Sequence, residues 1–292
     1  MNAALQLPPL DGRFDVTGEM IGTLRRDGHL KIRGFFTPEE IAAYRPHLAR
    51  AIDAAVRDER LIAAGSVDVG RGWKYVKDVW ALNEITRRFL TNERVGRLAA
   101  DLLGCEAVRL FRDQSYYKAP GGGCTPWHQD SHFIPLDAPE VVAVWIPLAT
   151  ITPEMAPMDY VTGSHRCTDF LGASGVEEEQ MTEYESRMRA RGFAIANYGT
   201  FEPGDVAVHY ASTVHGSRGN KSHAQREVIV SAYFPDGSRV AGDIALPPEA
   251  VHFQEHANKI RAENVARAMP GLRPGDLADC ASLPLVYPRI LH

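Results

Sequence analysis

The spacing of apolar residues changes about a third of the way along the chain. Thr37-Pro38-Glu39-Glu40 sets an N-cap threonine, proline at the first helical position and glutamate at the third. Ile41, Tyr44, Leu48 and Ile52 follow at helical spacing. A second helix is predicted from near Asn92, with Val95, Leu98 and Leu102 on one face and Gly104 ending it. Between the two, Gly70 to Trp80 (GRGWKYVKDVW) reads as loop and short strand. Residues 1–105 therefore form a mostly helical N-terminal part.

From about residue 106 short strands replace helices: Ala107–Lys118, Val141–Ala149, Asp159–Val161, Val206–Tyr210 and Glu227–Phe234. Turn residues separate them, at Ala119–Gly123, Thr162–Ser164, Pro203-Gly204 and Gly216–Asn220. That spacing predicts an all-β sandwich or barrel rather than a parallel α/β sheet. The acidic stretch Val176–Arg191 reads as a surface helix inserted between strands, and Glu255–Ala268 as a C-terminal helix packed outside. The expected architecture is mainly β with flanking helices (α+β) in one domain spanning 1–292. Its β core covers about 106–236, and a helical extension covers 237–292.

Composition narrows the function. Of 292 residues, 45% are hydrophobic and 24% charged, ordinary values for a chain with a substantial core. A formal net charge of −5 gives no basic footprint for nucleic acid. The first fifteen residues lack a basic region followed by an apolar run, and no segment has the apolar length of a membrane span. The four cysteines are scattered without a CxxC pair, which suits a cytoplasmic protein and leaves His and carboxylate as the available metal ligands.

Trp127-His128-Gln129-Asp130 carries the strongest chemistry. On an extended chain His128 and Asp130 point to one side, supplying two ligands of a 2-His-1-carboxylate triad. An HxD pair alone occurs by chance, so a later His is required. His215 and His209 compete for that place. The small residues after His215 (Gly-Ser-Arg-Gly-Asn) leave room for a ligand near the metal and favour His215, leaving His209 to the core or to support of the ligands. Arg226 leads the last apolar strand. Buried there it needs an anion, which a dicarboxylate co-substrate supplies; at an edge it is simply solvated.

Taken in order, these segments resemble the phytanoyl-CoA dioxygenase family of Fe(II)/2-oxoglutarate oxygenases. The likeness runs through Asp27–Thr37 (DGHLKIRGFFT), Tyr117-Lys118 before the Gly-rich loop, and His128–Pro135. It continues through Trp145–Leu148, Val161–His165, Gly204–Asn220 and Arg226. The resemblance implies a double-stranded β-helix (jelly roll, cupin-like) core with Fe(II) on His128, Asp130 and His215. It implies Arg226 and Ser217 at the distal carboxylate of 2-oxoglutarate, with Trp145, Gln129 and Gln114 lining that pocket. A further contact is implied from Lys74–Lys77, with Lys74 and Tyr75 the candidates. His132 and His165 match family positions without looking like ligands.

The reaction so implied is O2-dependent hydroxylation of a small metabolite with release of succinate and CO2, in a monomer or homodimer. Desaturation, cyclisation and endoperoxide formation use the same triad. Asp130 fills the position where related halogenating enzymes bind chloride, which disfavours halogenation. A Zn or Mn hydrolase or isomerase would use the same ligands but has no need of Arg226, and a scaffold protein would not need the triad. One departure stands out: the segment before the Gly-Ser-His turn, usually rich in Asn and Gly, is here Thr152-Pro-Glu-Met-Ala-Pro-Met158.

Overall fold

The computed structural model describes residues 7–288. The strands are β1 (His29–Ile32), β2 (Val67–Asp68), β3 (Trp73–Lys77), β4 (Val108–Lys118), β5 (Thr125–His128) and β6 (Val142–Pro147). They continue with β7 (Asp159–Val161), β8 (Ile195–Asn197), β9 (Val206–Tyr210), β10 (His215–Ser217), β11 (Val228–Pro235) and β12 (Leu285–Tyr287). A larger sheet runs β1-β9-β6-β11-β4-β3-β2, with β12 also paired to β4, and a smaller one runs β5-β10-β7-β8. Every strand pairing is antiparallel.

The larger sheet has two differently used faces, because alternate residues of a strand point to opposite sides. Val144, Ile146, Val206, Val208 and Ile229 join the main core on the outer face. Against them pack the helices Pro38–Ala55 and Glu93–Leu103, through Ile41, Tyr44, Leu48, Val95 and Leu98. The alternate residues Trp145 and Ala207 turn inward, to a smaller cluster with Ile151, Tyr160 and Phe201. Strand β6 lies between two neighbours and is buried along its whole length, which is why it reads as a continuous apolar run.

The expected helices form where their caps place them. Thr37 and Glu40 make a reciprocal capping box, and Asn92 caps the second helix, which ends on Gly104 in the left-handed region. The inserted surface helix is Glu178–Ala190, and the C-terminal helix begins earlier than expected, at Val251. Elements the sequence reading did not anticipate include the helices Gly18–Asp27, Glu59–Ala63 and Glu84–Leu90 and the strands β8 and β12.

The N-terminal segment is tied to the core beside the later site residues. The Phe36 amide donates to Gly204 O at 3.0 Å, and Tyr210 N donates to Gly28 O at 2.9 Å. Gly204 has φ of 103°, and a Cβ there would stand 2.1 Å from Phe36 O, so the Pro-Gly turn accepts no side chain. At the other end, the apolar Leu283–His292 finds its surface on the chain itself. Leu283 and Val286 are buried and β12 pairs with β4, while 289–292 lie outside the described residues. No helix among the described residues is long and apolar enough to cross a membrane.

Candidate functional site

The smaller sheet brings the two histidines together. His128 ends β5 and His215 begins β10, and the two are direct partners in the antiparallel register. The Nδ1 of His128 lies 2.7 Å from Pro126 O, and that of His215 lies 2.9 Å from Thr213 O. Each ring therefore donates Nδ1–H to a backbone carbonyl and presents Nε2 as a lone pair, the arrangement that fixes a metal-binding tautomer. Asp130 begins a short 3-10 turn (Asp130–Phe133) rather than continuing the strand. Gln129 between them stays extended, with φ −117° and ψ 124°, so the carboxylate remains on the histidine side.

Asp130 Oδ1 is 3.5 Å from His128 Nε2, and its Oδ2 is 3.9 Å from His215 Nε2. One donor atom from each of the three lies within 4.8 Å of the others. The electrostatics suit a cation. Burial alone would raise the Asp130 carboxyl, but the histidines ranged around it, His128, His209 and His215, hold it well below the usual carboxylate range. Burial, then the neighbouring His209 and His128, push His215 well below the usual imidazole value. An ionised carboxylate beside a neutral imidazole is a fitting donor set for Fe(II).

His209 stands closer to this group than a core residue would. It is buried, its ring centroid is 4.2 Å from that of His215, and neither ring nitrogen has a hydrogen-bond partner. The glycine after His215 is also required by packing. A Cβ on Gly216 would come within 3.1 Å of Thr125 O and 3.2 Å of the Trp127 ring, so glycine there lets β10 lie against β5.

The second feature is a pair of buried cations where the two sheets meet. Lys118 ends β4, Arg226 precedes β11, and their backbones bond reciprocally, at 2.9 and 2.8 Å. Lys118 Nζ donates to Ser217 Oγ at 2.7 Å and to Arg218 O at 3.0 Å, over the face of Trp73. Arg226 Nη1 donates to Ser217 Oγ at 3.1 Å and to Ala156 O, while its Nε has no partner. Neither forms an ion pair with a described carboxylate. Burial lowers Arg226 to about 10, and burial with the Arg226 charge carries Lys118 well below the usual amine range. Two like charges so placed are costly unless an anion joins them. A carboxylate there would take up both charges and the orphaned N–H. The Lys118 in the Tyr-Lys segment was legible as a strand marker but not as a binding group. Its signal is a lysine at an inward position of a buried strand.

The other expected residues divide. Trp145 lines the inner pocket, tilted on Phe201 with centroids 4.9 Å apart. Gln114 lines it too, and its amide oxygen accepts from Tyr116 OH at 2.9 Å and from Tyr75 OH, leaving its N–H groups without a protein partner. Tyr75 and Lys77 share one face of β3 and reach the outer cleft. Lys74 points the other way, into an ion pair with Asp53 at 2.7 Å, and does not meet the pocket. Gln129 does not meet it either: its amide nitrogen donates to Ser212 O at 2.5 Å, bracing the loop before His215. His165 bonds Arg25 O and His132 packs among Phe170 and Phe253, both away from the donor set. The helix Val251–Ala268 contributes more than cover. Asn264 donates to Phe133 O at 2.8 Å and Arg261 to Ile134 O, tethering the turn that carries Asp130.

A jelly roll with two histidines and an aspartate on its smaller sheet and a cationic cradle at one end defines the class of Fe(II)/2-oxoglutarate-dependent dioxygenases. The model of the phytanoyl-CoA dioxygenase family matches residues 24–228, and the chain belongs to that family. Its cofactor is Fe(II), with 2-oxoglutarate and O2 as co-substrates. A probable alpha-ketoglutarate-dependent hypophosphite dioxygenase of Stutzerimonas stutzeri is 25% identical over 222 residues, covering 70% of this chain and 74% of that protein. Among solved structures, the non-heme alpha ketoglutarate dependent carbocyclase SnoK from nogalamycin biosynthesis shares the fold. Its TM-score is 0.69 at 20% identity, over 94% of this chain and 99% of that one. EctD from S. alaskensis with bound Fe gives a TM-score of 0.63 at 22% identity, over 80% of this chain and 84% of that one.

Proposed function

We propose that this dioxygenase hydroxylates a C–H bond of a small, diffusible metabolite, with iron held by His128, Asp130 and His215 and with the whole chain acting as one domain. Arg226, Lys118 and Ser217 would hold the distal carboxylate of 2-oxoglutarate. The observation that carries this reading is the pair of buried, unneutralised cations beside a preset donor triad. A hydrolase or isomerase with the same ligands gives that pair nothing to do.

Iron held by His128, Asp130 and His215 would supply the oxidising power, with 2-oxoglutarate consumed to succinate and CO2 as the substrate is oxygenated. The chain's residues supply position. Pro126 O and Thr213 O fix the two imidazoles, and Ser212 O anchors Gln129 between them. Tyr75 and Tyr116 orient Gln114 so that its N–H groups are free for the co-substrate. Trp145 and Phe201 wall off solvent. Asp130 occupies the carboxylate position itself, which supports hydroxylation over halogenation. A formal charge of −5 supports a small-molecule partner rather than nucleic acid, and four free cysteines support a reducing compartment.

The test is an anaerobic titration of apo-protein with Fe(II) and then 2-oxoglutarate, followed by the weak visible charge-transfer band. A band that disappears in His215→Ala and needs about a hundredfold more 2-oxoglutarate in Arg226→Ala supports the reading. Bound iron without a band would overturn it.

A further inference from the structure

Outside the donor triad the site opens into a cleft of about 800 Å³. One wall is β3 and β4, with Tyr75, Lys77 and Arg112; the opposite wall is the C-terminal helix, with Ile260, Glu263 and Arg267. The floor is apolar at Ala63 and Phe133. Charge is unevenly satisfied there. Arg267 is paired with Asp78, and Glu263 faces Lys77, whose amine donates only to Gly65 O at 2.9 Å.

Arg112 has no such arrangement. Its side chain is 12% exposed, and among the described residues its guanidinium makes no hydrogen bond. Its nearest carboxylate oxygen is Asp130 Oδ1 at 3.9 Å, beyond hydrogen-bond reach, and that carboxylate is committed to iron in the reading above. A guanidinium offers five donors in a planar fork suited to a carboxylate or other oxyanion. Arg112 borders both the inner pocket and the outer cleft, so its donors are available to a molecule entering from outside. The same inner pocket already has Arg226 for the co-substrate, with Lys118 meeting it at Ser217 Oγ.

We propose that the substrate of this enzyme is a small organic anion, with an oxyanion group docked on Arg112 and supported by Lys77, and an apolar body against Phe133 and Ile260. The proposal rests on the oxygenase reading of the same site. Arg112 then sets specificity: a neutral analogue would leave the fork unpaired and lose the contact that holds the reacting carbon beside the iron.

The anaerobic Fe(II)·2-oxoglutarate holoenzyme, titrated calorimetrically with benzoate and its neutral isostere benzamide, tests this directly. Benzoate should bind about tenfold more tightly than benzamide. The preference should fall below about threefold in Arg112→Gln and persist in Arg112→Lys, with the charge-transfer band unchanged throughout. Equal binding of the two probes by the wild type, or no binding of either, would overturn the proposal. So would a preference that survives Arg112→Gln, or an Arg112→Gln variant whose main defect is a raised 2-oxoglutarate requirement. Failure of the oxygenase reading is separate, since it appears as the absence of the band before either probe is added.

Discussion

Lys118 and Arg226 face each other across an isolated antiparallel bridge, and both side chains converge on the hydroxyl of Ser217. Their backbones hold them there whether or not an anion is present. The cradle is therefore built in advance, and its repulsion is part of the resting protein.

Lys118→Met should accordingly separate stability from binding. Removing one of two adjacent buried charges should stabilise the protein without 2-oxoglutarate by about 1 kcal/mol, while weakening 2-oxoglutarate binding about tenfold or more. Thermal unfolding with and without the co-substrate checks both halves. The wild type should gain more from 2-oxoglutarate than the variant does.

Iron affinity distinguishes His215 from its neighbour. His215→Ala should lose at least about a hundredfold in Fe(II) affinity, whereas His209→Phe should cost no more than about tenfold. Metal-binding titrations under anaerobic conditions measure both. A larger loss in the His209 variant would make His209 the ligand.

Ala156 accepts a hydrogen bond from Arg226 through its carbonyl and holds φ at 55°, in the left-handed region. That conformation costs an L-residue about 1–2 kcal/mol. Ala156→Gly should relieve part of it and raise stability to urea by about 0.5–1 kcal/mol, the remainder being offset by glycine's greater freedom when unfolded. This residue lies in Thr152–Met158, the segment whose composition departs from the Asn- and Gly-rich pattern. The departure leaves the turn intact and puts strain at the carbonyl that orients Arg226.

His29 gives a pH signature. It is buried, stacked on Tyr160, with ring nitrogens 2.7 Å from Tyr198 OH and 3.0 Å from Thr162 Oγ1; burial lowers its pKa to about 4. The unfolded chain, with a histidine near 6.5, binds the extra proton first as pH falls. Stability is therefore full above about 6.5 and declines towards pH 4, by an amount of order 3 kcal/mol. Urea midpoints across that range should flatten in His29→Gln relative to the wild type.

The triad was legible because its parts are local or repeated in pattern. His128 and Asp130 lie two residues apart, and the extended Gln129 between them keeps both on one side even though the strand ends at His128. The helices of the first third announced themselves through Thr37, Asn92 and Gly104. Lys74, Gln129 and Arg112 were not legible in the same way. Which of Lys74 and Tyr75 meets the cleft depends on the register of β3 against β4, where Tyr75 stands opposite Tyr116. Gln129 is drawn to Ser212 by a loop remote in sequence, and the emptiness around Arg112 is a property of what fails to approach it.

Thr213, whose carbonyl orients His215, is itself held by the N-terminal segment: its hydroxyl donates to Gly28 O at 2.7 Å, across 185 residues of sequence. Strand β1 likewise pairs with β9, His29 opposite His209. Contacts this distant along the chain form slowly, after the intervening segments have collapsed. The orientation of His215, a ligand in the proposed site, thus depends on contacts between the start of the polypeptide and a segment far along it. Metal capture by the proposed triad would then report that the chain has closed, since a fragment ending before Thr213 lacks both His215 and the carbonyl that orients it.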